Sequence, residues 1–308
     1  MMVNNRHAAS REIPELPFAA PAGTPTGAEV MSLADLRSRV SQPDLARPRR
    51  PGFHQLLTLA SGELRQTVDF TGYTLRPGSW LWVRPGRVQQ WGDLTNAEGT
   101  LILFQQDMLD AATATAARVD DPYVPVVNTP VADEARALDL AADHLRHESQ
   151  ALGHLPLEVH MAALRHLLAV LVLRLAHLTV PAGSPAPEPD ETYLRFRDVV
   201  EQHFTRTRRV EDYARMLGYS ARTLARATLN SVGLSAKEFV DRRVVLEAKR
   251  LLAHSDQTAA QISDQLGFAN PSQFNKYFLH RVGRSPIDFR DEVRGRRAPH
   301  EPTGGQNG

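Results

Sequence analysis

Side chains that can form directional hydrogen bonds recur in two short segments near the C-terminus, about fifty residues apart. Arginine bonds in pairs to the O6 and N7 atoms of guanine, and asparagine or glutamine does so to adenine. These segments therefore offer the chemistry of base-edge recognition. The outward-facing residues predicted to carry it are Arg222, Thr223 and Arg226, followed by Ser272, Gln273, Asn275 and Lys276. The alternatives are a solvated surface position for Arg222 and a phosphate contact for Lys276.

The first segment belongs to a predicted helix-turn-helix unit. Apolar residues recur at helical spacing over 210–217, and Gly218 ends that helix. Ser220 is placed to cap a second helix that runs from Ala221 to about Asn230. A short helix, a glycine turn and a capped helix with outward arginines are typical of a helix-turn-helix.

The same order recurs in the second segment. Thr258 is predicted to cap a helix that continues to Leu266, and Gly267 ends it. Asn270 and Pro271 then begin the next helix in the favoured order of cap and proline. Between the two units, about nineteen residues from Ser235 form a predicted helix about 28 Å long. This length is close to one turn of B-DNA, about 34 Å.

Several motifs of the C-terminal third, in fixed register, resemble the AraC/XylS-type transcription regulators over about residues 193 to 292. The matching runs are Gly267-Phe268, Phe274-Asn275-Lys276-Tyr277-Phe278, Gly283-Arg284-Ser285-Pro286-Ile287-Asp288-Phe289-Arg290 and Ala248-Lys249-Arg250-Leu251-Leu252. One position departs from the family pattern. The first recognition helix has Arg226-Ala227-Thr228, whereas the family usually has a bulky aromatic residue two positions after the arginine.

Composition narrows the class of protein. The 308 residues suffice for two domains, and the absence of cysteine excludes disulfides, thiolate zinc sites and cysteine nucleophiles. We find neither an apolar run close to a membrane span nor a signal peptide, so we expect a cytoplasmic protein with no membrane partner. Residues 191–297 carry 20 Lys and Arg against 13 Asp and Glu, a net charge of +7, whereas residues 1–190 carry −5. This asymmetry suits the C-terminal third to a polyanion, although a merely solvated charged surface is the alternative.

Short β-prone runs with turn residues between them fill the region from Phe53 to Gln105 and predict a small antiparallel barrel. Their order, with a Pro-Gly turn on each side of the strand 79–84, resembles the cupin-type sensor half of AraC-like regulators. Gln89 and Gln90 follow the second turn, where a metal cupin would offer histidine, and His54 is the one histidine of the region. We therefore predict no metal, no cofactor and no catalytic residue.

A small-molecule effector site is predicted inside the barrel. Clustered tryptophans supply apolar surface, and arginines could meet a carboxylate. The alternative is that the tryptophans are core and the arginines are exposed loop residues. The predicted effector-binding residues are His54, Arg76, Trp80, Trp82, Arg84 and Trp91.

Two helices are predicted after the barrel, over 132–150 and 156–178. Leucines of the second helix are spaced as the a and d positions of three heptads, which predicts a dimer seam, unless the seam packs on the barrel instead. On the first helix, His144, His147 and Glu148 are interpreted as a solvated face rather than a metal site. The predicted dimerisation residues are Leu157, Met161, Leu164, Leu168, Leu171 and Leu175.

Together these observations predict a two-domain α+β protein. Its parts are a mostly disordered leader (1–50), a cupin-like sensing and dimerisation domain (51–180), a proline-rich linker (181–190), an all-α double helix-turn-helix domain (191–297) and a disordered tail (298–308). The predicted function is a ligand-responsive transcription activator, with operator DNA, an unidentified effector, a second copy of the chain and RNA polymerase as partners. The alternatives are a metal-dependent cupin enzyme with an appended DNA-binding domain and an effector-independent DNA-binding protein.

Overall fold

The computed structural model describes residues 15–19, 27–119, 121, 124–151, 155–178 and 190–295. The chain divides into one compact unit within 14–187 and another that contains 188–308. Residues 181–189 of the predicted linker, the tail 298–308 and much of the predicted leader lie outside the described residues. The described part of the predicted leader is folded: the strand Ala28–Ser32 was not expected, and two short helices follow it.

The first unit is built from short strands and five helices. Its strands are Glu15–Leu16 (β1), Ala28–Ser32 (β2), Arg50–Pro51 (β3), His54–Ser61 (β4), Leu64–Val68 (β5), Thr71–Leu75 (β6), Trp80–Val83 (β7), Gln89–Trp91 (β8), Glu98–Phe104 (β9) and Val127–Asn128 (β10). Its helices are Leu33–Arg39 (α1), Gln42–Leu45 (α2), Ala111–Ala116 (α3), Ala132–Gln150 (α4) and Leu157–His177 (α5), with a 3-10 turn at Gln106–Met108.

Two antiparallel sheets organise this unit. The larger has the order β10-β7-β4-β9-β2, and the smaller has the order β6-β5-β8. Six of these strands match the predicted β-prone runs, but the described strands do not close a barrel. The edge strands β2 and β10 pair only within the larger sheet. Because a barrel requires its edge strands to pair with each other, the predicted closed barrel is replaced by two facing sheets.

Alternation along the strands gives the larger sheet two buried faces. On one face, Leu57 and Leu81 pack toward the smaller sheet, where Leu64 and Trp91 lie. On the other face, side chains of the larger sheet pack against α4 and α5. The unit therefore has three layers: a small sheet, a large sheet and a pair of helices.

Helices α4 and α5 match their predicted bounds, but the leucine seam of α5 has a different role. Leu164, Leu168, Leu171 and Leu175 are buried against α4 and the larger sheet. Met161 is half-buried beside them, and Leu157 is 66% exposed. The predicted dimer seam is therefore wrong for the four buried leucines, because the intramolecular core already covers them.

Helix α5 is also long and apolar enough to cross a membrane, judged by length and composition, with a mean hydropathy of 1.6 over its most apolar stretch. The expectation that no run approaches that length was therefore wrong. Core helices of soluble proteins pass the same test, and α5 has a buried stripe packed on the sheet.

The second unit is helical. Its helices are Glu191–His203 (α6), Val210–Leu217 (α7), Ala221–Val232 (α8), Ala236–His254 (α9), Ala259–Gln265 (α10), Pro271–Val282 (α11) and Pro286–Gly295 (α12). Helix α9 contacts α7 and α8, which precede it in the sequence, and α10, α11 and α12, which follow it. Gly267 has a φ of +68°, and a Cβ atom there would lie 2.0 Å from the carbonyl oxygen of Thr205. Glycine is therefore required at this turn.

Candidate nucleic-acid interface

Helix α8 presents two arginines on its exposed face. Ser220 caps the helix, and its Oγ accepts a hydrogen bond of 3.0 Å from the backbone N–H of Thr223. Arg222 and Arg226 are exposed, and neither forms an ion pair or hydrogen bond through its side chain with another described residue. Thr223 is half-buried, and its hydroxyl lies 2.7 Å from that of Ser220, so it takes part in the cap. The buried face consists of Leu224, Ala227 and Thr228.

Helix α11 presents polar residues in the same way. Asn270 caps it through a hydrogen bond of 2.9 Å from the N–H of Gln273 to its Oδ1 atom, and Pro271 occupies the first turn. Phe274 and Phe278 form its buried side. The structure therefore places all four predicted readout residues of this helix on its exposed surface. They are Ser272, Gln273, Asn275 and Lys276.

The two amides of α11 differ in availability. The Oε1 atom of Gln273 accepts a hydrogen bond of 3.2 Å from the N–H of Ala269, so its acceptor side is already engaged and one lone pair of that oxygen remains. Paired recognition of adenine needs both the oxygen and the nitrogen of the amide. Asn275 is exposed, and its side chain forms no hydrogen bond with the described residues. Asn275 is therefore the better adenine reader of the two.

Helices α8 and α11 correspond residue by residue at an offset of fifty positions. Each is capped by a side-chain oxygen, has a buried residue at two corresponding positions one turn apart, exposes a cation between these positions and ends at a glycine in the left-handed conformation. The corresponding residues are Ser220 and Asn270, Leu224 and Phe274, Arg226 and Lys276, Thr228 and Phe278, and Gly233 and Gly283.

Most other basic side chains of the second unit have acidic partners. Arg242 on α9 is an exception, because it is exposed and forms no side-chain ion pair with described residues. The loop before α7 adds Arg206 and Arg209, which are exposed and form no side-chain ion pair with described residues. Sequence reasoning missed these two, although the basic run 206–209 marks them. The paired residues are Arg195 with Glu191, Arg197 with Asp198, Arg215 with Asp212, Lys237 and Arg281 with Asp241, Arg243 with Glu201, Arg250 with Glu247, Arg284 with Glu292 and Arg294 with Asp256.

A buried ion cluster anchors α11 to α9. The hydroxyl of Tyr277 donates a hydrogen bond of 2.7 Å to Asp241, and Arg281 and Lys237 both pair with the same carboxylate. Burial alone would raise the pKa of Asp241, but the hydrogen bonds from Lys237, Arg281 and Tyr277 outweigh it and hold this pKa below its ordinary value. Burial and Asp241 together raise the pKa of Tyr277. Sequence reasoning did not find this cluster, because its members are 36 and 40 positions apart.

The turn before α11 is fixed by Arg208. Its guanidinium donates hydrogen bonds of 2.9 Å to the carbonyl oxygen of Leu266 and 3.0 Å to that of Gly267. The same guanidinium lies 3.9 Å from the ring centroid of Phe268. These contacts satisfy carbonyl groups at the end of α10 and set the direction in which α11 begins.

The departure from the family pattern in α8 is accommodated internally. Thr228 is fully buried, and its hydroxyl donates a hydrogen bond of 2.7 Å to the carbonyl oxygen of Leu224. Aromatic volume in this half comes instead from α6, α7 and α9. The ring centroid of Phe196 lies 5.7 Å from that of Tyr213 and 5.6 Å from that of Phe239. At the positions where the family pattern would predict an aromatic contact, α8 therefore packs through the small residues Ala227 and Thr228.

In the first unit, the structure separates the predicted effector-binding residues. Trp80 and Trp82 lie on the face of the larger sheet that packs against the helices. Trp91 lies on the opposite side, between the two sheets. Arg76 is largely exposed beside Glu63, 3.6 Å away. The prediction of one pocket lined by all six residues is therefore wrong, because the tryptophans belong to two different sheets and face different cores, and Arg76 faces solvent.

His54, Trp82 and Arg84 do come together. The indole N–H of Trp82 donates a hydrogen bond of 3.3 Å to Nδ1 of His54, and the guanidinium of Arg84 lies 4.1 Å from the Trp82 ring centroid. His54 stacks on Phe104 at 4.7 Å. Burial, with a further effect of the Arg84 charge, lowers the pKa of His54 to about 3, so the imidazole is neutral at physiological pH. The cluster is a packed core with one buried cation.

Between the sheets, glutamines occupy the region where a metal cupin would place histidine. Gln66 donates a hydrogen bond of 3.0 Å to Gln89, and Gln89 donates one of 2.8 Å to Gln55. On α4, Glu148 pairs with His160 at 3.0 Å. No group of three His, Asp or Glu side chains that could hold a metal occurs within the part of the chain that the structure describes.

Comparisons with known proteins bear on the second unit. Residues 213–292 match the family model of a helix-turn-helix domain. The HTH-type transcriptional activator RhaS of Klebsiella pneumoniae (strain 342) is 27% identical over 150 residues, which cover 48% of this chain and 52% of RhaS. The match thus spans about half of that relative. The predicted helix-turn-helix region is confirmed.

Two solved structures are similar over different lengths. Unsaturated fatty acid bound ToxT from Vibrio cholerae strain SCE256 is 12% identical, covers 88% of this chain and 98% of its own, and has a TM-score of 0.38. The DNA-binding domain of AdpA, solved in complex with a target DNA, is 26% identical, covers 35% and 97%, and has a TM-score of 0.32. Both scores are too low to define the fold of the whole chain.

Proposed function

We propose that this chain is a sequence-specific DNA-binding transcription regulator, an activator whose first unit responds to a small molecule. The observation that carries the proposal is the pair of capped helices α8 and α11. Their exposed faces hold arginine, asparagine and lysine side chains without protein partners, whereas most other basic side chains of the unit are paired. The family match and the relative described as a transcriptional activator support it.

The side chains suggest distinct roles. Arg226 on α8 is assigned to guanine, and Asn275 on α11 to adenine. Lys276 is assigned to a phosphate. Arg206 and Arg209 lie in the loop that leads into α7 and are exposed, and they are assigned to the backbone of the duplex.

Helix α9 links the two readers. Its nineteen residues extend about 28 Å, somewhat less than the roughly 34 Å turn of B-DNA. Helices that contact the two ends of the α9 region could therefore enter successive major grooves on one face of a duplex. Readout by both helices would make a single chain span about one helical turn of its operator.

The test is selection of bound sequences from a random DNA pool, followed by affinity measurements on the selected duplex. The double variant Arg226→Ala with Asn275→Ala should lose most of the preference over random DNA and retain residual nonspecific binding. The matched control is Arg195→Ala, which removes an exposed but paired cation on α6. Equal loss of affinity for selected and random DNA, or the same effect from the control, would contradict base readout by these helices.

The first unit is proposed to be an open cupin-like sensor and the site of dimerisation. The Pro-Gly turns on either side of β7 support the first part. For the second, α5 keeps an exposed stripe opposite its buried leucines, with Val159, Val170 and Leu173 being 51%, 47% and 39% exposed. A second copy is proposed to cover this stripe. RNA polymerase is the proposed partner of the activator, and the cytoplasm is its proposed location.

Dimerisation is tested by paired substitutions on α5. Val170→Glu with Leu173→Glu should give a folded monomer in sedimentation experiments, because charges then lie in the exposed stripe. Leu164→Glu, on the buried face, should instead lower the free energy of unfolding by several kcal/mol. A double variant that remains dimeric would place the interface elsewhere.

A further inference from the structure

A cavity of about 190 Å³ lies between the edge of the larger sheet and the helix pair of the first unit. It is separate from the core between the two sheets, where the predicted effector site was expected. Strands β2 and β9 form one wall, and α4 and α5 form the other. The lining residues are Ala28, Glu29, Val30, Arg39, Ile102, Leu145, Ser149, Gln150, Leu164 and Leu168.

The lining is divided into an apolar part and a polar part. Alternation along β2 directs Ala28 and Val30 toward the helices, where Ile102 of β9 and leucines of α4 and α5 meet them. The polar residues are Glu29 and Arg39 on the sheet side and Ser149 and Gln150 at the last turn of α4. A ligand would therefore need an apolar body and one polar group.

The polar residues favour an uncharged group. Glu29 and Arg39 form an ion pair, so neither charge is available without breaking it. The hydroxyl of Ser149 donates a hydrogen bond of 2.8 Å to the carbonyl oxygen of Arg146, which leaves its oxygen as an acceptor. Gln150 forms no side-chain hydrogen bond with the described residues and offers both a donor and an acceptor. A hydroxyl, which both donates and accepts, complements this set.

The volume limits the size of the ligand. An apolar cavity of about 150 Å³ is known to bind benzene. The volume of this cavity, about 190 Å³, is larger than that, and the difference leaves room for a few more non-hydrogen atoms than benzene has. An apolar body of one ring, with a short polar substituent, matches the space.

We infer that this cavity binds a small neutral amphiphile, an alcohol with a single aromatic or branched aliphatic body. The inference rests on the proposed sensing role of the first unit, and it places the ligand between the sheet and the helices rather than between the sheets. Because the ligand would contact β2, α4 and α5 together, its binding would hold the helix pair in one position on the sheet edge.

The experiment titrates the full chain with benzyl alcohol and follows binding by ligand-observed NMR. Benzoate and benzylamine, which have nearly the same shape but carry a charge, serve as isosteres. Benzyl alcohol should bind at one site and saturate, and each charged isostere should bind at least tenfold more weakly. Non-saturating binding, or benzoate or benzylamine binding as tightly as the alcohol, would overturn the inference.

Variants locate the site. Leu145→Phe should fill the cavity and weaken benzyl alcohol binding at least tenfold. The matched control, Leu140→Phe, makes the same change on the same helix at a residue that is 64% exposed and should leave affinity within twofold. If thermal unfolding shows that Leu145→Phe is not folded, Val30→Phe fills the cavity from the sheet side. Unchanged affinity in the folded cavity-filling variant would overturn the inference.

DNA binding is measured in parallel so that the two proposals fail separately. Wild-type chain that binds its selected DNA but not benzyl alcohol would contradict the cavity site and leave DNA readout standing. Saturable binding that is lost in the cavity-filling variant supports the cavity site even if DNA affinity does not change, in which case the sensing role is wrong.

Discussion

The two helix-turn-helix halves share a backbone plan but differ in what they display and in how they are held. Helix α8 displays two arginines and is seated by small residues, whereas α11 displays amides and a lysine above an aromatic core. Only the second recognition helix is tied to α9 by the Asp241 cluster, as far as the described residues extend. In both halves the cap and the glycine set where the recognition helix begins and ends. The exposed residues and the residues that hold the helix in place differ between the halves.

Among the substitutions that distinguish the two halves, Asp241→Ala is expected to have the largest effect on stability. Removal of the buried carboxylate breaks the hydrogen bond from Tyr277 and leaves Lys237 and Arg281 without their partner, which should lower the free energy of unfolding by about 2 kcal/mol, because both cations remain accessible to water. Readout by α11 should weaken before readout by α8. Urea denaturation measures the first effect, and base preference on the selected duplex measures the second. Asp264→Ala, an exposed acid on α10, is the control and should change stability by less than about 0.5 kcal/mol.

The same carboxylate predicts a dependence on pH. Because the pKa of Asp241 is lower in the folded state than in the unfolded chain, its contribution to stability is present above the ordinary aspartate pKa. That contribution is lost as the pH falls through the lowered pKa. The Asp241→Asn variant should therefore lose less stability than wild type on acidification below about pH 4. Parallel acid-unfolding curves for the two proteins would contradict the assigned pKa shift.

Single substitutions on α8 and on α11 should change base preference at different positions of the DNA. Arg226→Ala should relax preference at one guanine and Asn275→Ala at one adenine, at positions about one helical turn apart, each costing roughly 1–3 kcal/mol in discrimination. Ala225→Ser, at the position in α8 that corresponds to Asn275, is a mild control. If both reader variants relaxed the same base pair, the two helices could not occupy successive grooves.

The smallest effect concerns Lys276, which corresponds to Arg226 in the fifty-residue register. As a phosphate contact, Lys276→Ala should weaken binding to all sequences by a similar factor. The slope of log K against log[salt] should become shallower by about 0.9. Arg226→Ala should instead reduce specificity with less effect on binding to random DNA. A base-specific loss in Lys276→Ala would assign both cations to base readout.

Local signals made the second unit predictable. Ser220, Asn270 and Gly218 act within a few residues of their own positions, so capping and helix ends follow from short windows of sequence. The same holds for the β-prone runs, each bounded by turn residues. Features that depend on distant partners were missed. In the sequence, Asp241 is not distinguishable from the other acids of a charged helix. Its role is visible only in the fold, where Tyr277 and Arg281 lie beside it.

The first unit was harder to predict for the same reason. Trp82 and Trp91 are close in sequence, but they lie in different sheets, and their side chains pack in different cores. Heptad spacing in α5 identified a buried stripe correctly but not what covers it, because a sheet and a second helix bury leucines as well as a partner chain does. Strand β2 contains Glu29 and lies in a region rich in proline and glycine, so its strand character was obscured.

Helix α9 restricts how the regulatory DNA site can evolve. Its buried residues pack against both halves, with Phe239 and Val240 near its start and Leu251 and Leu252 near its end. One inserted residue would turn everything after it by about 100° and move it about 1.5 Å, which would separate one half from its core. Indels in α9 are therefore excluded by folding. If α8 and α11 read bases as proposed, the distance between their exposed faces is set by protein stability, and new binding sites would then arise by base substitution rather than by a change in spacing.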